Sequence, residues 1–186
     1  MTASIAPQVE KPTLWQIDPA HTLVEFAVKH MMFATVKGRF GGVHGTIVED
    51  AANPSRSSVE VEIDAASIDT REEKRDAHLR SPDFLDVQDY PTITFTSSRV
   101  EHAGEDRLRV VGDLTIHGTT REVVLDTTIN GRGTNPFGLE VAGFTAATTI
   151  NRRDFGLTWN VALEAGGVLV GDTVKILLEI EAVKQS

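Results

Sequence analysis

The sequence predicts an all-β protein made of one strongly curved antiparallel sheet. Three observations carry that expectation. Apolar and polar side chains alternate along about eight stretches of the chain. Short turn signals separate the stretches, so successive strands are expected to run antiparallel. One segment alone breaks the period in favour of a helix.

The first alternating stretch, HTLVEFAVKH, puts Val24, Phe26 and Val28 on one face with Glu25 and Lys29 on the other. VKGRFGGVHGTIVE follows as a second strand. SSVEVEIDA sets Val59, Val61 and Ile63 against Glu60, Glu62 and Asp64. TITFTS places Ile93 and Phe95 among threonines, which suit a pleated, half-buried surface. RLRVVGDLTIHG keeps Leu108, Val110, Leu114 and Ile116 in phase with Gly112, and REVVLDTTIN aligns Val123, Leu125 and Ile129. GLEVAGFTAATTIN and TVKILLEIEA complete the series, the last with Val174, Ile176, Leu178 and Ile180 facing one way. AANPS, AGED, HGTT and GRGTNPFG supply the turns. One polar and one apolar face suit a sandwich or a barrel equally. Glycines inside strands (Gly38, Gly41, Gly42, Gly112, Gly143) mark bends or bulges and favour a closed, curved sheet.

The exception is DTREEKRDAHLRSP, rich in good helix formers. Thr70 and Glu73 have the spacing of a capping box, Glu72 and Glu73 suit the positive end of the helix dipole, and Pro82 ends the run. So short a helix is marginal alone. Ala77, Leu79, Phe84 and Leu85 are expected to tie it to the barrel, as a plug or a lid.

A length of 186 residues suits one domain, expected at residues 13–184 behind a loose arm, residues 1–12, that holds Pro7 and Pro12. With 18 basic and 27 acidic side chains the net charge is −9, which opposes binding to nucleic acid or to an anionic membrane surface. There is no cysteine, hence no disulfide, thiolate nucleophile or cysteine metal site. The start, MTASIAPQVEKPTLWQ, lacks a basic-then-apolar leader pattern, and no run approaches the roughly 18 apolar residues of a spanning helix, so the expected address is cytoplasmic.

Chemistry-bearing motifs are missing. There is no nucleophile elbow, phosphate-cradling loop or dinucleotide fingerprint, and the six histidines form no H-x-H, H-x-x-x-H or H-E-x-x-H. The expectation is no catalytic residue, no metal and no cofactor. His30 ends the Val24–Phe26–Val28 face, either as a hydrogen-bonded rim histidine or as a contact to a ligand head group. Asp76 and His78, two apart on a helix, cannot face each other as an acid–base pair. Arg75, Asp76, Arg80 and Asp83 read as a solvated or structural ion-pair face, and Asn151 to Asp154 as a turn with paired charges.

Four strings in order are more specific than any single motif: WQIDPAHTLVEFAVKHMMFATVKGRFGGVHGTI, ASIDTREEKRDAHLRSPDFLDVQDYPTITFTSS, VVGDLTIHGTTREVVL and TTINRRDFGL. Together they resemble the YceI-like, polyisoprenoid-binding, lipocalin-like family over about Trp15 to Ala182. The resemblance implies an extended eight-stranded antiparallel barrel with a short helix near one opening. It also implies an elongated apolar tunnel for an isoprenoid or other long-chain amphiphile, such as an isoprenoid quinone, and a homodimer. Many members carry a secretory leader; the start MTASIAPQVEKPTLWQ does not show that pattern, so the expectation here is a chain without one. His30, Gly38-Arg39-Phe40, Asp76-Ala77-His78-Leu79, Phe84, Phe95, Gly112-Asp113-Leu114, Arg152 and Phe155-Gly156 match the family strings; Asp113 and Arg152 are expected to be structural.

The expected ligand-facing wall is Val24, Phe26, Val28, Phe40, Val61, Ile63, Phe84, Phe95, Leu114 and Phe144, interspersed with Gly112, Ala146 and Thr148. The small residues either leave a channel or let large neighbours interdigitate. His30, Arg39 and His78 are the expected polar contacts at the mouth. Three functions compete: a non-catalytic lipid carrier, an enzyme using an Asp/His group near the helix, and a solid-core structural protein. The resemblance ranks the carrier first, and a hollow interior is the feature that separates it from the last.

Overall fold

The structure is a computed structural model that describes residues 11–186. Most of the expected arm, residues 1–10, lies outside the described residues. Eleven strand segments and one helix follow in order: β1 (Thr13–Ile17), β2 (Leu23–His30), β3 (Ala34–Phe40), β4 (Val43–Glu49), β5 (Ser58–Asp64), β6 (Ile68–Asp69), α1 (Glu73–Arg80), β7 (Thr92–His102), β8 (Arg107–Ile116), β9 (Thr119–Thr134), β10 (Glu140–Asn151) and β11 (Val170–Lys184). Among the described residues, no helix is long and apolar enough to cross a membrane.

The segments make an eight-stave barrel because two staves are each broken in half. β1 and β2 lie end to end along β11, and β3 and β4 lie end to end along β2 and β1. The β3–β4 break falls at Gly41–Gly42. From β4 the ladder continues through β5, β7, β8, β9 and β10 to β11, and β1 pairing with β11 closes it. Every pairing between these strands is antiparallel. Closure removes the free edges that an open sheet would expose, except along the part of β3 that precedes its two-residue pairing with β6.

Two expectations about elements change. β1 goes unrecognised in the sequence because TLWQI is short and follows proline-containing chain. The stretch GRGTNPFG is not all turn: β9 runs on to Thr134, and the turn is confined to residues 135–139. Gly131 (φ +153°) sits where the β9–β10 register shifts between Gly143 and Phe144, so the strand absorbs one residue and continues.

The in-strand glycines serve two purposes. Gly41 and Gly42 bend a stave, as expected. Gly38 and Gly112 instead seat aromatic rings: a Cβ on Gly38 would collide with the Phe26 ring, and one on Gly112 would come within 2.7 Å of the Phe95 ring. Small wall residues at those positions therefore let large neighbours lie flat on the sheet.

α1 is built differently from its predicted capping box. Its N-cap is Glu72, whose carboxylate accepts from the backbone N–H groups of Lys74 and Arg75. Thr70 is buried and its N–H and hydroxyl both donate to Asp76 Oδ1 (2.9 and 2.5 Å). Arg75 in turn donates to the Thr70 hydroxyl and carbonyl, and Arg80 to the carbonyls of Ala66 and Ile68. These groups staple the helix to the β6 region, so of the two readings of this face, solvated or structural, the structural one holds for Arg75, Asp76 and Arg80. Leu79, Phe84 and Leu85 pack into the core as expected, whereas Ala77 is exposed.

Candidate ligand-binding cavity

β6 pairs with only the last two residues of β3, so the barrel wall parts above that point. α1 lies against this opening. Beneath it is a cavity of about 500 Å³, lined by Val24, Phe26 and Val28 of β2, Val36 and Phe40 of β3, Val61 and Ile63 of β5, Phe95 of β7, Leu114 of β8, Val123 and Leu125 of β9, Thr148 and Ile150 of β10, and Val174, Ile176, Leu178 and Ile180 of β11. Nearly every stave contributes because the inward positions of each strand keep the period of two. The volume is within the usual range for a small-molecule site and well above that of a packing defect.

The cavity is blind rather than a lengthwise tunnel. Its lining stops near Ile17, Leu125 and Ile180. Beyond that level Trp15, Ala142 and Ala182 are fully packed together with Ile47 and Phe144. The Trp15 indole N–H donates to Glu49 Oε2 (3.0 Å), and the Arg132 guanidinium pairs with the same carboxylate while lying 5.4 Å from the Trp15 ring centroid. Hydrogen bonds from Arg132 and Trp15 hold the Glu49 carboxyl below the usual carboxylate range despite partial burial.

Three cations and two histidines gather at the mouth: Lys74, Arg75 and His78 from α1, and Lys29 and His30 from the end of β2; Thr22, Glu25, Thr70, Thr148 and Arg152 also border the cavity. His78 is aligned by Asp83 (Nε2 to Oδ2, 2.8 Å) and meets the rings of Phe84 and Trp159 edge-on, with centroids 5.0 and 4.6 Å away. Asp76 is turned away into Thr70, so Asp76 and His78 form no acid–base pair.

The mouth's other side is the 157–170 segment, anchored by Arg152. That guanidinium is 3% exposed and donates to the carbonyls of Leu157, Trp159, Val170 and Gly171 and to Asp172. Burial pushes its pKa down, with Asp172 opposing. Arg152 and its turn are structural, as the sequence suggested, because one buried cation organises an otherwise irregular loop.

Of the residues expected at the site, Val24, Phe26, Val28, His30, Phe40, Val61, Ile63, His78, Phe84, Phe95 and Leu114 all line the cavity. Two do not. Arg39 points outward, half-exposed and paired with Asp69 (3.0 Å), since it alternates with the inward Gly38 and Phe40. Phe144 faces inward but belongs to the packed end with Trp15. The sequence reading missed Trp159, Leu157, Leu169, Lys74 and Arg75. The first three lie in a segment without periodicity, and on a short polar helix nothing in the spacing of Lys74 and Arg75 distinguishes a cation at a cavity mouth from one in solvent. Elsewhere, Asp18, His21 and Glu181 come together on the outside of the barrel. His21 Nδ1 is 2.8 Å from Asp18 Oδ2; this contact raises the His21 pKa and lowers that of Asp18.

The model of the YceI-like domain family matches residues 15–182. A UPF0312 protein of Pseudomonas putida is 37% identical over 165 residues, covering 89% of this chain and 82% of its own. A UPF0312 protein of Vibrio cholerae is 41% identical over 138 residues, covering 74% and 73%. Among solved structures, Burkholderia cenocepacia BcnA superposes with a TM-score of 0.76 at 26% identity, over 89% of this chain and 98% of that one. The Campylobacter jejuni YceI protein gives 0.71 at 31%, over 85% and 90%. A polyisoprenoid-binding domain from Saccharophagus degradans gives 0.70 over 92% and 98%; at 15% identity it is a likeness of fold alone.

Proposed function

The chain belongs to the YceI-like domain family, and from that premise we propose that it is a non-catalytic carrier of a long-chain amphiphilic lipid, an isoprenoid or a tail of similar shape. One observation carries the reading: a cavity of about 500 Å³ whose wall is almost wholly apolar, Thr148 being a polar exception among the inward strand residues, and at whose mouth the cations Lys29, Lys74 and Arg75 gather with His30 and His78. Such a lining rewards chain length rather than chemistry. Each buried methylene is worth about 0.8 kcal/mol, so a ten-carbon stretch contributes about 8 kcal/mol gross. Association costs about 4 kcal/mol or more, which leaves useful affinity for a tail and little for a small polar molecule.

The size sets a limit as well. At about 30 Å³ per water-sized group, the space suits on the order of fifteen to twenty chain atoms. A much longer tail would leave part of itself outside, because the far end of the barrel is packed. The head group would sit among His30, Lys74, Arg75 and His78. The S. degradans domain, named for polyisoprenoid binding, supports the reading through its shared fold.

The test is native mass spectrometry of the purified protein with lipid analysis of its organic extract. Mass increments matching a long-chain lipid are expected, and Val28→Trp or Ile176→Trp, which fill the cavity from its wall, should abolish them while the circular dichroism stays that of a barrel. A protein that carries no lipid and takes up neither farnesol nor geranylgeraniol refutes the carrier.

A further inference from the structure

The turn between β2 and β3 is made of Met31, Met32 and Phe33, which are 37%, 60% and 75% exposed. Two of the three hold left-handed backbone, Met31 at φ +50° and Met32 at φ +71°. Asparagine and glycine adopt that conformation readily, whereas a long side chain does so at an energetic cost. Large apolar side chains thus occupy a tight turn where both backbone and solvent disfavour them.

The turn is also part of the cavity's rim. His30, its first flank, lines the mouth, and the Met31 N–H donates to Leu169 O, another lining residue. Leu169 in turn donates to Val161 O, and Val161 adds a further exposed apolar side chain.

Charge around the turn is opposite in sign to the molecule's. From Phe26 to Val48 there is no acidic residue, while Lys29 and Lys37 flank the turn and Arg39 follows. The adjoining 157–170 segment contains one acid, Glu164. At physiological salt, charges act over a Debye length of about 8 Å, so at about 3.3 Å per strand residue Lys29 is the cation nearest a surface that meets this tip, Lys37 stands further back, and Arg39, paired with Asp69, lies out of reach. The net −9 of the whole chain therefore does not set the field at this turn, where Lys29 and Lys37 stand nearest, while the acids beside the mouth, Asp83 and Asp172, are paired with His78 and with Arg152 and Arg153.

We propose that the Met31–Met32–Phe33 turn is a membrane-docking tip, which inserts into the surface of an anionic bilayer and holds the cavity mouth against it so that a lipid tail passes between bilayer and barrel. The three side chains enter the acyl boundary, while Lys29 and Lys37 stay at the level of the phosphates. The proposal rests on the lipid-carrier reading, and the two fail separately: cavity occupancy is read by native mass spectrometry, docking by vesicles.

The experiment is flotation with vesicles of phosphatidylcholine, with and without phosphatidylglycerol. The intact chain should float with the anionic vesicles and release as salt is raised. Phe33→Ser should weaken partitioning about tenfold or more, as expected for losing one buried aromatic. The double change Met31→Asn with Met32→Gly should also abolish docking, while leaving the melting temperature unchanged or higher, because those residues accept the turn's backbone. Both variants should keep their cavity lipid. Phe137, 87% exposed on the β9–β10 turn at the opposite end, is the control, and Phe137→Ser should float normally.

A chain that carries lipid yet binds no vesicle overturns the tip and leaves the carrier standing. So does a Phe137→Ser variant that loses docking as fully as Phe33→Ser. If Phe33→Ser instead turns a dimer into a monomer by light scattering without affecting vesicles, the tip is a contact between two copies of this chain and the membrane proposal is wrong.

Discussion

The two ends of the barrel share eight staves and one alternation, yet one end is solid and the other hollow. At the solid end Trp15 and Phe144 meet Ala142 and Ala182, large side chains against small across neighbouring strands, and nothing remains to fill. At the hollow end Val28, Val36, Val123, Thr148, Val174 and Ile176 face one another around the ring, none long enough to reach the far side. The difference teaches that hollowness is a matter of which inward residues share a layer. An eight-stranded barrel is near the size at which side chains can just fill the interior, so medium-sized residues at one level leave room for a ligand.

The largest test of that contrast is Trp15→Ala. It should cost about 3–5 kcal/mol of unfolding free energy by denaturant titration, because the packed end cannot collapse around the lost indole. Lipid carried per folded molecule should be unchanged, since Trp15 does not line the cavity. Loss of lipid in parallel with stability would mean that the two ends are one cooperative site.

A smaller effect comes from Glu49, the carboxylate that accepts from the Trp15 indole N–H. Arg132 and Trp15 hold its pKa below the ordinary value in the folded chain, so the unfolded chain binds its proton at higher pH. Its contribution is therefore complete above the ordinary carboxylate pKa and is lost as pH falls through the lower folded value. Glu49→Gln should remove about 1 kcal/mol at neutral pH and flatten the acid limb of stability against pH. An unchanged acid limb would show that the pair contributes nothing to closing this end.

Smallest of all is Arg39→Ala. The Arg39–Asp69 pair is exposed on both sides, so stability should move by less than about 0.5 kcal/mol. Lipid content should not move, because the guanidinium points away from the cavity. A measurable loss of lipid would place Arg39 at the mouth after all.

Much of the fold is legible along the chain because a strand writes its burial every second residue. Val59, Val61 and Ile63, or Val174, Ile176, Leu178 and Ile180, reveal the inward face without any knowledge of their neighbours. The same rule made Arg39 readable as outward, lying between Gly38 and Phe40, and its assignment to the mouth came from the motif rather than from the alternation. Trp159 and Leu169 were not legible, since the 157–170 segment has no period and is held in place by Arg152 from a distant turn. Thr70 looked like a capping residue and Asp76 like a member of an ion-pair face, because their mutual hydrogen bond depends on how α1 returns over β6.

By itself the sequence determined that the chain is a curved antiparallel β-structure with one helix, and which side of each strand is apolar, since both are local consequences of side-chain alternation and turn chemistry. Only the tertiary structure decided that the bore is blind, that its mouth lies under α1, and that Phe144 plugs rather than lines. Those facts depend on which residues from separate strands reach the same level of the barrel, and register across the sheet is set by closure of the whole ring.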